Sequence, residues 1–206
     1  MTKRIFVLAA LMSAVCVTGA FAQVTVSGGF ALSSVKDIEV SGSGSQGVEA
    51  DIGAGANLFV DYLLPIGIPL SLGGEVGVDS ASFKYDENYT DTVIAIPLLL
   101  RAAYHFDLLP KLDLYIVGKI GYVIGIWEGE TKDAVKSLGA SVGDIGGIGF
   151  GFDVGAAYYF NSKFGLFAEV GFDDYALESE ITGSGYNQTL KAPFNRFLTI
   201  GVSGKF

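Results

Sequence analysis

Five charged residues stand alone in apolar surroundings. Glu75, Arg101, Lys119, Asp153 and Glu169 are each flanked on the chain by apolar residues or glycine. A charge held in such company is stable only when it is paired or solvated. Two cations among three carboxylates, with Asn57 at a comparable level, suit two kinds of chemistry. One is a closed salt-bridge network that plugs and seals its surroundings; the other is a polar relay or gate through which ions or small solutes pass. The plug is the preferred reading.

Other chemistry is thinly represented. A serine or cysteine nucleophile needs a base within hydrogen-bond reach. Beyond residue 22 the chain has no cysteine and a single histidine, His105, which reads as an ordinary polar lining residue. No enzymatic activity and no cofactor are expected. The run Gly146-Gly-Ile-Gly-Phe-Gly lacks the helix that a phosphate loop requires. Asp86, Glu87 and Asp91, and separately Asp173 with Asp174, offer hard oxygen ligands and are candidate loop residues for recruiting divalent cations.

The elements that must position the five charges are strands. From Leu198 to Phe206 every second side chain is apolar or tiny, with Thr199, Ser203 and Lys205 between; a period of two means a strand with one greasy face. Further along the same logic, Leu112, Leu114, Ile116, Ile120, Tyr122, Ile124 and Ile126 share one face, and Asp113, Tyr115, Val117, Lys119 and Val123 the other. Eight candidates fall at about 23–34, 51–63, 69–79, 92–106, 112–127, 145–160, 164–173 and 190–206. Short connections at 64–68, 107–111 and 161–163 alternate with long polar ones at about 35–50, 80–91, 128–144 and 174–189. That asymmetry, with greasy alternation in every strand, predicts an all-β, eight-stranded antiparallel up-and-down transmembrane β-barrel. Both chain ends then fall at the short-turn end.

Within this frame the five charges lie seven to nine residues from the nearest short turn, all on the face turned away from lipid. A register slipped by one residue would expose them to the membrane, at a cost approaching about 10 kcal/mol in sum. That rivals the roughly 5–15 kcal/mol that holds a domain together, so the charges set the register. An eight-stranded barrel has room inside for little more than side chains. Tyr62, Tyr104, Tyr122 and Tyr158 lie where an interfacial girdle belongs. Pro97 cannot donate to the ladder, and a bulge or local distortion is expected there.

Composition agrees. Lys3 and Arg4, the apolar run from Ile5 to Val17 and Ala20-Phe-Ala22 form a cleavable secretory leader over 1–22, leaving 23–206 as one outer-membrane barrel domain. Cys16 is expected to leave with the leader, since Val15 is a poor residue before a lipidation cut. Without Lys3 and Arg4, 11 basic residues face 22 acidic ones, which excludes nucleic acid as a partner. Half the chain is hydrophobic, yet beyond the leader no window approaches the roughly 18 apolar residues of a membrane helix. Taken as 35–51, 79–92, 127–144 and 173–190, the four long connections hold 16 of the 22 acids and four lysines. A solvated rim is the default explanation, and an extracellular ligand-binding surface the alternative.

The chain resembles the small eight-stranded outer-membrane proteins of the OmpA-barrel, OmpX and OmpW type. The likeness is carried by the strand–turn–strand stretch Asp153-Val-Gly-Ala-Ala-Tyr-Tyr-Phe-Asn-Ser-Lys-Phe-Gly-Leu-Phe-Ala-Glu-Val-Gly-Phe172 and by Ala95-Ile-Pro-Leu-Leu-Leu-Arg101. Terminal Phe206 matches the end that the barrel-assembly machinery recognises in such proteins. The resemblance implies a bacterial outer-membrane location, a bilayer environment and a salt-bridged lumen, with Glu75, Arg101, Lys119, Asp153 and Glu169 in similar placement. The residues themselves point to a structural or surface-interaction role, a barrel presenting four acidic connections, with a narrow channel for ions or small solutes as the alternative. An OmpW-like conduit would call for an apolar lumen toward the outer half.

Overall fold

A computed structural model describes residues 23–35, 38–40, 44–46, 49–86, 89–137, 139–183 and 186–206. The leader expected at 1–22, with Cys16, lies outside the described residues. Eight long strands follow one another: β1 Val24–Val35, β2 Ile52–Leu63, β3 Leu70–Asp86, β4 Tyr89–Leu109, β5 Leu112–Gly129, β6 Ile145–Tyr159, β7 Phe164–Gly183 and β8 Tyr186–Lys205. Each pairs antiparallel with the next, and β8 returns to β1. Val24 and Phe206 exchange backbone hydrogen bonds of 3.0 and 2.8 Å at the seam. The ring of eight strands is therefore closed.

Alternation sets the two faces. On β5, Ile120 is 60% exposed while Val117 and Val123 are fully buried. At the short-turn end Tyr104 packs edge-to-face on Phe106 at 5.1 Å, and Tyr158 on Phe160 at 5.9 Å, all four outside the barrel. The turns there are tight for local reasons. Asn161 Oδ1 accepts the backbone N–H groups of Lys163 and Phe164, both at 2.8 Å, an Asx turn. Gly67 adopts φ of +80° in the β2–β3 turn, a conformation suited to glycine.

At the other end the strands run further than their greasy alternation suggests. β3 and β4 extend to Asp86 and Tyr89, and β7 and β8 to Gly183 and Tyr186. The stretches 80–91 and 174–189, expected as loops, are thus largely hairpin. The reason is an inversion of pattern. Beyond the apolar belt the outer face turns polar, with Lys84, Glu128, Glu178, Glu180 and Lys191 exposed. The inner face turns apolar, with Phe83, Val93, Trp127, Leu177, Ile181 and Leu190 buried in one cluster. This end is built like a small water-soluble barrel with an ordinary hydrophobic core. The connection at 128–144 also carries a helix, α1 Glu130–Ser137. Ile38–Val40 and Gly44–Gln46 form a small hairpin that adds to β8.

Pro97 produces a gap, not a bulge. The β3–β4 ladder skips from Val76–Leu98 to Asp79–Ala95 with no change of register, because proline lacks the N–H and the strands simply pass it. The bulge sits elsewhere. Leu32 pairs with Leu198 and Ser33 with Arg196, leaving Phe197 as the extra residue of β8. One inserted residue reverses parity, so Arg196 and Thr199 both point inward, 1% and 2% exposed.

Candidate functional site

The interior holds a charged layer near mid-barrel and a polar cavity below it. Strand alternation delivers Asn57 and Asp61 from β2, Glu75 and Asp79 from β3, Arg101 from β4, Lys119 from β5, Asp153 from β6, Glu169 and Asp173 from β7 and Arg196 from β8. Arg101 Nη1 donates to Glu75 Oε2 at 2.7 Å and its Nη2 to Glu169 Oε1 at 2.6 Å. Its Nε reaches Asp61 Oδ1 at 3.4 Å, and the guanidinium lies 3.8 Å above the Phe59 ring. Lys119 Nζ meets Asp153 at 2.5 Å, Asp173 at 3.1 Å, Glu169 at 3.2 Å and Glu75 at 3.6 Å. Arg196 binds both Glu75 and Asp173, the latter also through Nε at 2.8 Å. Asn57 donates to Glu75 Oε1 at 3.1 Å, and the Tyr115 hydroxyl to Glu169 Oε1 at 3.0 Å.

The structure thus brings together Glu75, Arg101, Lys119, Asp153, Glu169 and Asn57, the residues singled out in the sequence. It adds Asp61, Asp79 and Arg196, which that reading passed over, and Asp173, which that reading placed in a loop. Arg196 was hidden by the Phe197 bulge, since unbroken alternation from Phe206 turns position 196 toward lipid. Asp173 corrects an expectation: it is not a loop ligand but a buried partner of Lys119 and Arg196. Asp91 is likewise buried and accepts a hydrogen bond from Trp127 Nε1 at 3.0 Å. Asp174 is half-buried in β7, Asp86 ends β3, and Glu87 lies outside the described residues. Among the described residues no group of three or more His, Cys, Asp or Glu side chains is placed to hold a metal ion.

Close approach of the carboxylates depends on glycine opposite them. Gly151 pairs with Asp173 and Gly171 with Asp153. A Cβ at either glycine would fall on the facing carboxylate. Gly55 and Gly73 stand in the same relation to Asp79 and Asp61.

Below the layer, at the short-turn end, lies a cavity of about 70 Å³. Ser71, His105, Asp113, Tyr159 and Lys205 line it. His105 Nδ1 is 2.9 Å from Asp113 Oδ1, and its Nε2 is 3.0 Å from Ser71 Oγ. Lys205 Nζ is 3.4 Å from Asp113 Oδ2 and 3.9 Å from the centre of the Tyr159 ring. The lone histidine is thus held by two partners that spacing along the chain does not reveal.

Known proteins place the architecture. The family of the outer membrane protein beta-barrel domain matches residues 6–206. The chain is similar to the crystal structure of outer membrane protein OprG from Pseudomonas aeruginosa, at 18% identity and a TM-score of 0.54, covering 90% of this chain and 96% of that one. It is also similar to the outer membrane protein AlkL in lipid bilayers, at 17% identity and a TM-score of 0.59, covering 92% and 93%. No curated protein matches the chain. The apolar belt lies in the bilayer of a bacterial outer membrane, crossed by the eight strands. The chain belongs to the outer-membrane β-barrel domain family.

Proposed function

We propose that this protein is a sealed barrel with a structural or surface-interaction role, anchoring an acidic outer surface that meets an extracellular ligand. The single observation that carries the reading is closure of the lumen. Arg101 and Glu169, joined across the interior, are 2% and 1% exposed, and above them Trp127, Leu177 and Phe194 belong to a packed core. In this reading the short turns face the periplasm and the long connections the outside, and Phe206 presents the C-terminal end to the barrel-assembly machinery. With the lumen filled, the surface available for recognition is the outer rim, which carries Glu128, Glu178 and Glu180 in exposed positions.

A narrow channel for ions or small solutes is the second reading. One observation favours it in a restricted form: the interior above the ion layer is apolar, which suits small apolar solutes better than ions. Single-channel recording of the refolded protein in planar bilayers, beside Arg101→Ala, separates the two. Silence from both supports the sealed barrel. Discrete conductance that Arg101→Ala changes would overturn it and move the function into the lumen.

A further inference from the structure

Ser71, His105 and Asp113 come from three successive strands, β3, β4 and β5, and all point into the cavity at the short-turn end. Their contacts run in one line. An ionised Asp113 can only accept, so the 2.9 Å contact puts the hydrogen on His105 Nδ1. His105 Nε2 is then the acceptor for the Ser71 hydroxyl at 3.0 Å. A nucleophile, a base in reach of it and a third group orienting the base are the geometric signature of an activated serine. Triads of this kind are recognised by geometry and not by position in the chain.

The surroundings fit the same use. The His105 and Asp113 side chains are 18% and 13% exposed, so solvent reaches the base. One water needs about 10–15 Å³, so a cavity of about 70 Å³ leaves space for a short acyl group and a water. A wider hollow of about 750 Å³ adjoins it and shares Gln23, Asp113, Tyr159 and Lys205. Lys205, 3.4 Å from Asp113 Oδ2, and Tyr159, whose hydroxyl is 3.2 Å from Ser203 Oγ, line the same cavity and are a cation and a hydroxyl of the kind that stabilises a developing oxyanion.

We propose that Ser71, His105 and Asp113 form a serine acyl-transfer site that hydrolyses small carboxylic esters entering from the short-turn end. Ser71 Oγ bonds to the ester carbonyl carbon while its proton passes to His105 Nε2. Collapse of the adduct breaks the carbon–oxygen bond to the alcohol, which departs with that proton. Water then attacks the acyl-serine with His105 again taking the proton, and the carboxylic acid leaves as Ser71 regains its hydrogen. Asp113 is a positioning residue that holds the imidazole by its Nδ1–H.

The test is labelling of the refolded protein with a small fluorophosphonate, followed by intact mass and peptide mapping, alongside hydrolysis of p-nitrophenyl acetate. Folding is checked in each variant by the mobility shift between unboiled and boiled samples. The expected result is one adduct per chain, on Ser71, absent in Ser71→Ala. His105→Ala should slow both reactions by on the order of 10²–10⁴-fold. Asp113→Asn should slow them too, and Asp113→Glu should recover part of the loss, which a purely structural role of Asp113 would not produce. Folded protein that leaves Ser71 unlabelled, or labels it at a rate that His105→Ala leaves unchanged, overturns the proposal.

Discussion

Arg101 is the residue on which the charged layer turns. Its fork spans from Glu75 to Glu169 across the lumen, and its removal leaves two buried carboxylates short of a partner. Arg101→Ala is expected to destabilise the barrel by about 3–5 kcal/mol, read from urea unfolding in lipid vesicles. Arg101→Lys should recover only part of this, because an ammonium cannot reproduce the two-pronged geometry. Asp79 should behave in the opposite way. The layer sets Asp61, Glu75, Asp79, Asp153, Glu169 and Asp173 against Arg101, Lys119 and Arg196, so carboxylates are in excess. The nearest ion-pair contact of Asp79 is Arg196 Nη1 at 3.8 Å. Asp79→Asn keeps the shape and removes a surplus negative charge; it is expected to change stability by less than about 0.5 kcal/mol or to raise it. A loss as large as that of Arg101→Ala would show that Asp79 is an essential partner instead.

At the scale of elements, register and parity decide which residues meet. Gly151 and Gly118 lie on neighbouring strands, yet they should answer differently to one added methyl. A Cβ at Gly151 collides with the Asp173 carboxylate, whereas one at Gly118 meets nothing within 4 Å. Gly151→Ala is expected to cost about 1–3 kcal/mol as the ion layer shifts, and Gly118→Ala to stay within about 0.5 kcal/mol. Equal effects on the unfolding midpoint would remove the close-approach argument. The Phe197 bulge offers a second test of the same logic. Deleting Phe197 leaves Arg196-Leu198-Thr199 in unbroken alternation with Arg196 and Thr199 still both inward, whereas deleting Phe197 and Leu198 together makes the two neighbours and turns one of them to the wrong face. The double deletion should fail to reach the compact form on an unboiled gel, while Phe197→Ala, which keeps both side chains inward, should reach it.

For the whole molecule, the barrel is two constructions stacked end to end. The membrane part is apolar outside and polar within; the part beyond it is polar outside and packed with Phe83, Trp127, Leu177 and Phe194 within. Leu177→Ala therefore tests whether the upper interior is a core or a passage. As a core substitution it should cost about 2–5 kcal/mol and produce no conductance, because the ion layer beneath still seals the lumen. A stable, conducting Leu177→Ala barrel would mark the upper interior as a passage.

The sequence by itself determined the architecture, because period-two alternation and the alternation of short with long connections are local signals that each strand carries alone. It also identified Glu75, Arg101, Lys119, Asp153, Glu169 and Asn57 as inward, since a charge between apolar neighbours has one tolerable face. The length of the strands beyond the membrane was not legible: the same alternation continues there with its faces exchanged, and polar outward residues such as Lys84 and Glu178 read as loop. Tertiary structure alone decided that Arg196 joins the layer, since a single inserted residue, Phe197, reverses every side chain beyond it on β8, and that Asp173, read as part of a loop, is drawn in against Lys119 and Arg196. It alone decided, too, that Ser71 and Asp113 flank His105, because Ser71 is 34 residues away along the chain and even Asp113, 8 residues away across one turn, meets the ring only when the register is set.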